Sequence, residues 1–255
     1  MEKQKTESRA ELGFISHLIE LRSRLLRCIV AILLVLLPLM PFANRIYSLL
    51  AAPLLRYLPS GSSMIATGVV APFMIPFKLV TLLSVFIVVP YLLYQIWAFV
   101  APGLYRHEKH FALPMLVSSI LLFYTGVAFA YFLVLPMVLR FMIGIAPEGI
   151  SVMPDIANYL DFAMAMFLAF GFAFEIPVAT VLLASTGLIS VATMVAARPY
   201  VIVGAFVVGM LLTPPDVISQ TMLAIPMWFL YEAGIIASRA ILKRRVETVG
   251  KKEVS

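Results

Sequence analysis

The sequence predicts an all-α, polytopic membrane protein with six transmembrane helices and both termini in the cytoplasm. The first observation behind this prediction is composition, because apolar residues make up 62% of the chain and charged residues only 13%. A soluble domain has roughly 45–50% apolar and about 25% charged residues. The other two observations are the lengths of the apolar runs and the distribution of lysine and arginine around them.

Four apolar runs approach the ~20 residues that a helix needs to cross a ~30 Å hydrocarbon core; they are residues 25–42, 73–99, 111–139 and 159–183. Two further runs, at residues 201–212 and 222–237, are shorter, and Glu232 interrupts the second of them. A helix over residues 201–212 rises only about 18 Å. We therefore expect short fifth and sixth helices with a thinned bilayer around them.

Prolines lie inside most of the predicted spans, at Pro76, Pro90, Pro114, Pro136, Pro177 and Pro226. Each proline removes a backbone donor and tends to kink its helix, which a membrane bundle tolerates when neighbouring groups satisfy the freed carbonyl. Repeated kinks predict a concave bundle. Between the fifth and sixth helices, the turn at residues 213–216 contains two prolines, and either Thr213 or Asp216 is expected to cap the sixth helix.

Lysine and arginine fall unequally on the two sides of the predicted spans, fifteen on one side and four on the other. Basic residues favour the cytoplasmic side, so both termini are expected in the cytoplasm and the chain in the cytoplasmic (inner) membrane. The net charge of +6 is thus a topology signal and does not indicate nucleic-acid binding. We expect one membrane domain over residues 1–255, with an amphipathic cytoplasmic segment at 1–24 and a disordered basic tail at 240–255.

Two carboxylates are expected on the cytoplasmic face. Glu20 lies in a basic block before the first span, four residues from Arg24, and Glu108 lies near the start of a helix. The simpler interpretation is that Glu20 and Arg24 form a helix-stabilising ion pair in an interfacial anchor. Glu108 would then only complement the dipole at the start of its helix. The alternative is an acidic pocket formed by both carboxylates and roofed by Phe99. Such a pocket suits a ligand with two guanidinium groups, because carboxylates bind guanidinium through paired hydrogen bonds.

A third carboxylate, Glu175, lies within an apolar span and precedes Pro177. An ionised carboxylate costs several kcal/mol at membrane depth, so such residues usually face a cavity or mark a functional site. A protonated Glu175 that bonds the carbonyls freed by Pro177 is the structural alternative. This residue also leaves open a different function, that of a small proton-coupled transporter or channel.

Signatures of catalysis are missing from the sequence. It has no Gly-x-Ser-x-Gly, no His-Glu-x-x-His and no glycine-rich phosphate loop, which argues against a hydrolase, a metalloprotease or a nucleotide-driven enzyme. The lone cysteine, Cys28, lacks the partners that metal or redox motifs need. We therefore expect no enzyme activity, no catalytic residue, no metal and no cofactor.

Four motifs carry a resemblance to the TatC family, the receptor subunits of the twin-arginine protein translocase. They are Ser16-His17-Leu18-x-Glu20-Leu21-Arg22, Pro90-x4-Gln95-x-Trp97-x-Phe99-x-Ala101-Pro102-Gly103-Leu104, Phe170-Gly171-x3-Phe174-Glu175-x-Pro177 and Leu212-Thr213-Pro214-Pro215-Asp216-x3-Gln220. The resemblance extends from residue 16 to about residue 239. It implies a six-helix fold with both termini inside and short fifth and sixth helices.

The resemblance also implies a function. Members of this family recognise the Arg-Arg signal peptides of folded proteins, a role that maps to Glu20 and Glu108, with Leu21, Arg22 and Phe99 nearby.

Glu175 would lie in the concave wall of the family fold. Single-span partners of the TatA and TatB types would contact the fifth and sixth helices around Met210, Thr213 and Gln220. Transport would use the proton-motive force, and the protein would self-associate in the lipid bilayer.

Overall fold

In the computed structural model, the described backbone covers residues 2–49, 65–100, 109–144, 153–213 and 216–253. Regular structure within these ranges is helical, as predicted. The chain divides into two compact units: Met1–Ile46 with Pro76–Leu116, and Tyr47–Ile75 with Val117–Ser255.

The first unit is built from α1 (Glu2–Leu39) and most of α2 (Ala71–Val100). The predicted amphipathic segment and the first span form one continuous helix, because no proline or glycine pair interrupts the chain before Pro38. A short 3-10 turn follows at Met40–Phe42, and α-helix resumes over residues 43–49. By contrast, α2 runs unbroken through both of its prolines, Pro76 and Pro90.

The second unit contains the remaining helices, which are α3 (Lys109–Phe129, partly in the first unit), α4 (Leu135–Gly144), α5 (Ile156–Ala173), α6 (Ile176–Ser185), α7 (Val191–Ala196), α8 (Arg198–Leu212) and α9 (Val217–Glu253). The last helix, α9, packs along α6 and α8. Its buried core side chains include Leu223, Met227 and Ile235.

Five stretches of the described chain are long and apolar enough to cross a membrane: Leu18–Leu49, Ala71–Phe99, Leu113–Gly144, Ile156–Ser185 and Val217–Lys243. A sixth apolar helix, Arg198–Leu212, is shorter. The short fifth helix of the sequence prediction is therefore present. The sixth helix, however, is longer than predicted, because it continues through Glu232, whose charge is compensated by an arginine of α8.

The long helix α9 also continues past its apolar stretch Val217–Lys243. The backbone of α9 is helical to Glu253, whereas the composition of residues 240–255 predicts disorder. Lysine, arginine and glutamate all have high helix propensity, and no proline follows Pro226 to stop the helix.

Two described spans of the second unit also change their helical geometry at a proline. Between α3 and α4, residues Ala130–Val134 adopt a π-helix, which accommodates the missing backbone donor of Pro136 just downstream. In the next span, α5 ends at Ala173 and α6 begins at Ile176, with Pro177 in the first turn of α6. The helix thus changes to a π-helix before Pro136 and to a two-residue turn, Phe174–Glu175, before Pro177.

Helix backbones approach closely at two glycines of the second unit. A side chain added at Gly126 of α3 would collide with the carbonyl oxygen of Phe170 in α5, and one added at Gly234 of α9 would collide with Thr180 of α6. Small residues allow this approach in membranes, where close packing replaces the hydrophobic drive for helix association.

Asp155 fastens the start of α5 to a segment that is distant in sequence. One carboxylate oxygen, Oδ1, accepts from the backbone amides of Ala157 and Asn158 at 2.9 and 3.0 Å and caps the helix. The other, Oδ2, accepts from the backbone amide and hydroxyl of Thr67 at 3.0 and 2.6 Å. The backbone of Ile65 adds a parallel bridge beside the carboxylate. We call these contacts the Asp155 staple.

Acid is expected to loosen the Asp155 staple. Hydrogen bonds from Thr67 and from the first turn of α5 lower the Asp155 pKa from 3.8 to about 2. A depressed folded-state pKa contributes stability above the unfolded pKa of about 3.9, and this contribution is lost as pH falls toward about 2. Thermal unfolding of the detergent-solubilised protein should show a melting temperature that decreases across this window. In Asp155→Asn, the melting temperature should be lower at pH 7 and vary less with acid; an unchanged acid profile would contradict the assignment.

Candidate functional site

Glu20 and Arg24 form an ion pair on α1 that also reaches the end of α2. The Arg24 guanidinium donates to Glu20 Oε1 from Nε at 3.0 Å and from Nη2 at 2.6 Å. It also donates from Nη1 to Gln95 Oε1 at 2.9 Å and from Nη2 to the carbonyl oxygen of Ala98 at 3.2 Å. These four residues are called the guanidinium cluster below. The predicted i,i+4 pair is present, while its contacts with α2 were not predicted.

Burial differs across the guanidinium cluster. The Glu20 side chain is 41% exposed and the Arg24 side chain only 19%, while Gln95 is buried. Gln95 donates from Nε2 to the hydroxyl of Tyr91 at 2.7 Å, which orients its carbonyl oxygen toward the guanidinium. The carboxylate is thus the part of the cluster that remains most accessible from outside the unit.

Two of the other predicted signal-peptide residues lie beside Glu20 in the middle of α1, and a third lies at the end of α2. Leu21 and Arg22 are exposed on α1, and Phe99 is half-buried in the last turn of α2. Glu108 lies outside the described residues, so its predicted pairing with Glu20 stays a prediction.

Glu175 lies at the break between α5 and α6, in the turn before Ile176. Its carboxyl group is hydrogen-bonded to the hydroxyl of Ser119, a buried residue of α3. The other carboxyl oxygen, Oε1, is buried and has no hydrogen-bond partner. The serine hydroxyl is thus the described partner of this carboxyl group, and the alternative of a protonated Glu175 that bonds a carbonyl freed by Pro177 stays a prediction.

Met210, Thr213 and Gln220, the predicted partner-binding residues, lie where α8 and α9 meet. Met210 is 51% exposed, whereas Thr213 is buried and donates to the carbonyl oxygen of Gly209 at 2.9 Å. Gln220 is half-buried. Asp216 caps α9 by accepting from the backbone amide of Ser219 at 2.7 Å, which decides between the two predicted caps.

An apolar groove also lies between α8 and α9. It has a volume of about 240 Å³ and is lined by Ile202, Phe206, Ala224, Ile225 and Trp228. The indole Nε1 of Trp228 is buried without a hydrogen-bond partner. The groove is thus an apolar surface shared by α8 and α9, and the exposed Met210 lies nearer the end of α8.

Sequence reasoning missed an ion pair between α8 and α9. Arg198 donates from Nη2 to Glu232 Oε2 at 2.7 Å, and Arg198 Nε lies 2.6 Å from Glu232 Oε1. The neighbouring Tyr231 is buried and donates to the carbonyl oxygen of Met194 at 2.8 Å. The available signal was an acid within an apolar run, which should have prompted a search for a basic partner at the start of the preceding helix.

Comparison with known proteins connects this geometry to a family. Residues 16–226 match the model of the family described as Sec-independent protein translocase protein (TatC). The TatC protein of Escherichia coli K12 is 57% identical over 225 residues, which cover 88% of this chain and 87% of the relative. TatC of Azotobacter chroococcum is 54% identical over 238 residues and covers 93% of both chains.

Solved structures agree with the sequence matches. A structure titled "Crystal Structure of Twin Arginine Translocase Receptor- TatC" superimposes with a TM-score of 0.80 at 37% identity, covering 88% of this chain and 98% of its own. The match confirms the all-helical membrane fold. The chain therefore belongs to the TatC family of Sec-independent protein translocases, and it is a protein-transport component and not an enzyme.

Proposed function

We propose that this protein is the receptor subunit that binds Arg-Arg signal peptides of folded proteins and starts their export. The observation that carries the proposal is the partly exposed Glu20 carboxylate, which already binds a guanidinium group in the guanidinium cluster. Charge-assisted bonds of this kind contribute about 1.5–3 kcal/mol each. Glu108 supplies the second carboxylate in this proposal, and Leu21, Arg22 and Phe99 form the surroundings of the bound peptide.

Glu175 has a separate role in the proposed cycle. Glu175 lies at the turn between α5 and α6, and one of its carboxyl oxygens is buried without a hydrogen-bond partner. In this proposal its carboxyl group is a polar site among apolar side chains of the span. A signal peptide inserting along that span would find a hydrogen-bonding group that lipid cannot offer.

Single-span partners of the TatA and TatB types are proposed to bind at α8 and α9. The apolar groove between these helices and the exposed Met210 support this assignment, since membrane helices associate through close packing and isolated polar contacts. The assembled translocase would lie in the cytoplasmic membrane with both termini of this subunit inside. It would self-associate and draw its energy from the proton-motive force.

Peptide binding tests the receptor function directly. A fluorescent Arg-Arg signal peptide is titrated into the purified full-length protein in detergent, beside a Lys-Lys twin of equal charge. We expect saturable binding of the Arg-Arg peptide and at least tenfold weaker binding of the twin, because an ammonium cannot reproduce the planar donor fork of guanidinium.

Glu20→Gln and Glu108→Ala should each weaken Arg-Arg binding by tenfold or more, because one lost charge-assisted bond costs about 1.5–3 kcal/mol and every ~1.4 kcal/mol is a factor of ten in affinity. Asp161→Asn, which removes an acid from the fourth span, is the matched control and should bind as the unsubstituted protein does. Equal binding of both peptides would contradict the proposal and favour a proton-coupled transporter that uses Glu175.

A further inference from the structure

The acceptors of the guanidinium cluster have the chemistry of an arginine-binding site. They are one carboxylate oxygen of Glu20, the side-chain carbonyl oxygen of Gln95 and the main-chain carbonyl oxygen of Ala98, supplied by two different helices. Guanidinium is a rigid planar donor with five N–H groups and no acceptor, so a convergence of acceptors is what it requires. Here Arg24 itself provides the guanidinium.

The charge of the cluster has a consequence for an incoming ligand. Glu20 and Arg24 together form a neutral pair, and the guanidinium is in contact with the carboxylate at 2.6 Å. A cationic peptide that approaches the carboxylate therefore meets a compensated charge. Tight binding of a signal arginine to Glu20 requires the release of Arg24.

Two features of the cluster permit such a release. Arg24 has a long, flexible side chain, and 19% of it is exposed, so the guanidinium is not enclosed by the protein. The acceptors on α2 would remain in place without Arg24, because the bond from Gln95 to Tyr91 holds the Gln95 amide in its orientation.

We propose that Arg24 occupies the guanidinium site of the unliganded receptor and that a signal-peptide arginine displaces it. The arriving arginine takes over the bonds to Glu20, Gln95 and the Ala98 carbonyl. This inference rests on the proposed receptor function and adds Gln95 and Ala98 to the residues that distinguish arginine from lysine. Lysine presents its donors from a single nitrogen, so it cannot span acceptors that Arg24 reaches from Nε, Nη1 and Nη2.

The decisive variant is Arg24→Gln, assayed with the Arg-Arg peptide against Arg27→Gln in the full-length protein. Arg27 is an exposed cation of the same helix, so both variants remove the same charge. A receptor whose site is self-occupied nine-tenths of the time has an apparent Kd about tenfold above its intrinsic value. We therefore expect Arg24→Gln to bind the Arg-Arg peptide about tenfold more tightly than Arg27→Gln does.

A second variant tests the acceptors of α2. Gln95→Met keeps the side-chain volume and the net charge but removes the carbonyl oxygen that Arg24 and an arriving arginine both use. Its effect is therefore read in the Arg24→Gln background, where it should weaken Arg-Arg binding several-fold and leave Lys-Lys binding unchanged. Introduced together with Arg24→Gln, it should remove most of the gained affinity. Circular dichroism and melting temperatures establish that the variants are folded.

The outcomes separate the two proposals. If the unsubstituted protein prefers the Arg-Arg peptide but Arg24→Gln binds no more tightly than Arg27→Gln, self-occupancy is overturned while the receptor function stands. Weaker binding by Arg24→Gln would also overturn self-occupancy and make Arg24 a positioning residue for Glu20. If the unsubstituted protein does not prefer the Arg-Arg peptide, both proposals fail.

Discussion

Glu232→Gln is expected to lower the free energy of unfolding by about 1.5–3 kcal/mol, the range for hydrogen bonds to charged groups. The substitution leaves Arg198 at the start of α8 without its carboxylate. Breaking a fully buried ion pair costs more, about 3–5 kcal/mol, but the Arg198 side chain is 39% exposed and water compensates part of the loss. Thermal and denaturant unfolding in one detergent would measure the effect.

A double-mutant cycle isolates the pair from other effects of the substitutions. Arg198→Gln, Glu232→Gln and the double variant are compared, and the double variant should be less destabilised than the two single changes added together. Arg239→Gln, which removes an exposed cation of the same helix α9, serves as the control. Glu232→Gln and Arg239→Gln of equal stability would show that the pair contributes nothing measurable.

Gly126→Ala is expected to destabilise the second unit by about 1–3 kcal/mol, the usual cost of overpacking. The new methyl group would meet the main-chain carbonyl of Phe170, and a main chain cannot rotate away as a side chain can. The helices α3 and α5 must therefore separate, which loosens the contact of Phe129 with Phe170, whose ring centroids lie 5.6 Å apart.

Gly204→Ala is the matched control for this change. An added methyl group at Gly204 of α8 has open space around it, and alanine favours a helix over glycine by about 1 kcal/mol. This variant should be as stable as the parent or more so. A Gly126→Ala protein that melts at the same temperature as Gly204→Ala would contradict the close approach of α3 and α5.

Local sequence patterns predicted much of the fold. Apolar runs of sufficient length located the spans, because the hydrocarbon thickness imposes a minimum on every membrane helix. Of the six predicted kink sites, Pro177 and Pro136 coincide with a turn and a π-helix, whereas the described helices continue through the other four prolines. The i,i+4 spacing of Glu20 and Arg24 predicted their ion pair, since this interaction depends on helical periodicity alone.

Contacts between distant parts of the chain were beyond the same reasoning. Gln95 joins the guanidinium cluster from 71 positions away, and no local pattern reports such a pairing. Glu232 was interpreted as the interruption of a short helix, whereas its pairing with Arg198 allows a helix of full length. Recognition of charged partners on neighbouring helices needs the packing of the helices, which periodicity does not supply.

The Asp155 staple also has a consequence for biosynthesis. Ile65 pairs with Asp155, and the two residues are 155 − 65 = 90 positions apart. At a synthesis rate of about 5–20 residues per second, Ile65 leaves the ribosome roughly 5–20 s before its partner. The staple therefore forms only after the third span has been made and the fourth has begun. Until then, Thr67 and Ile65 lack the contacts that they make with Asp155 in the folded protein.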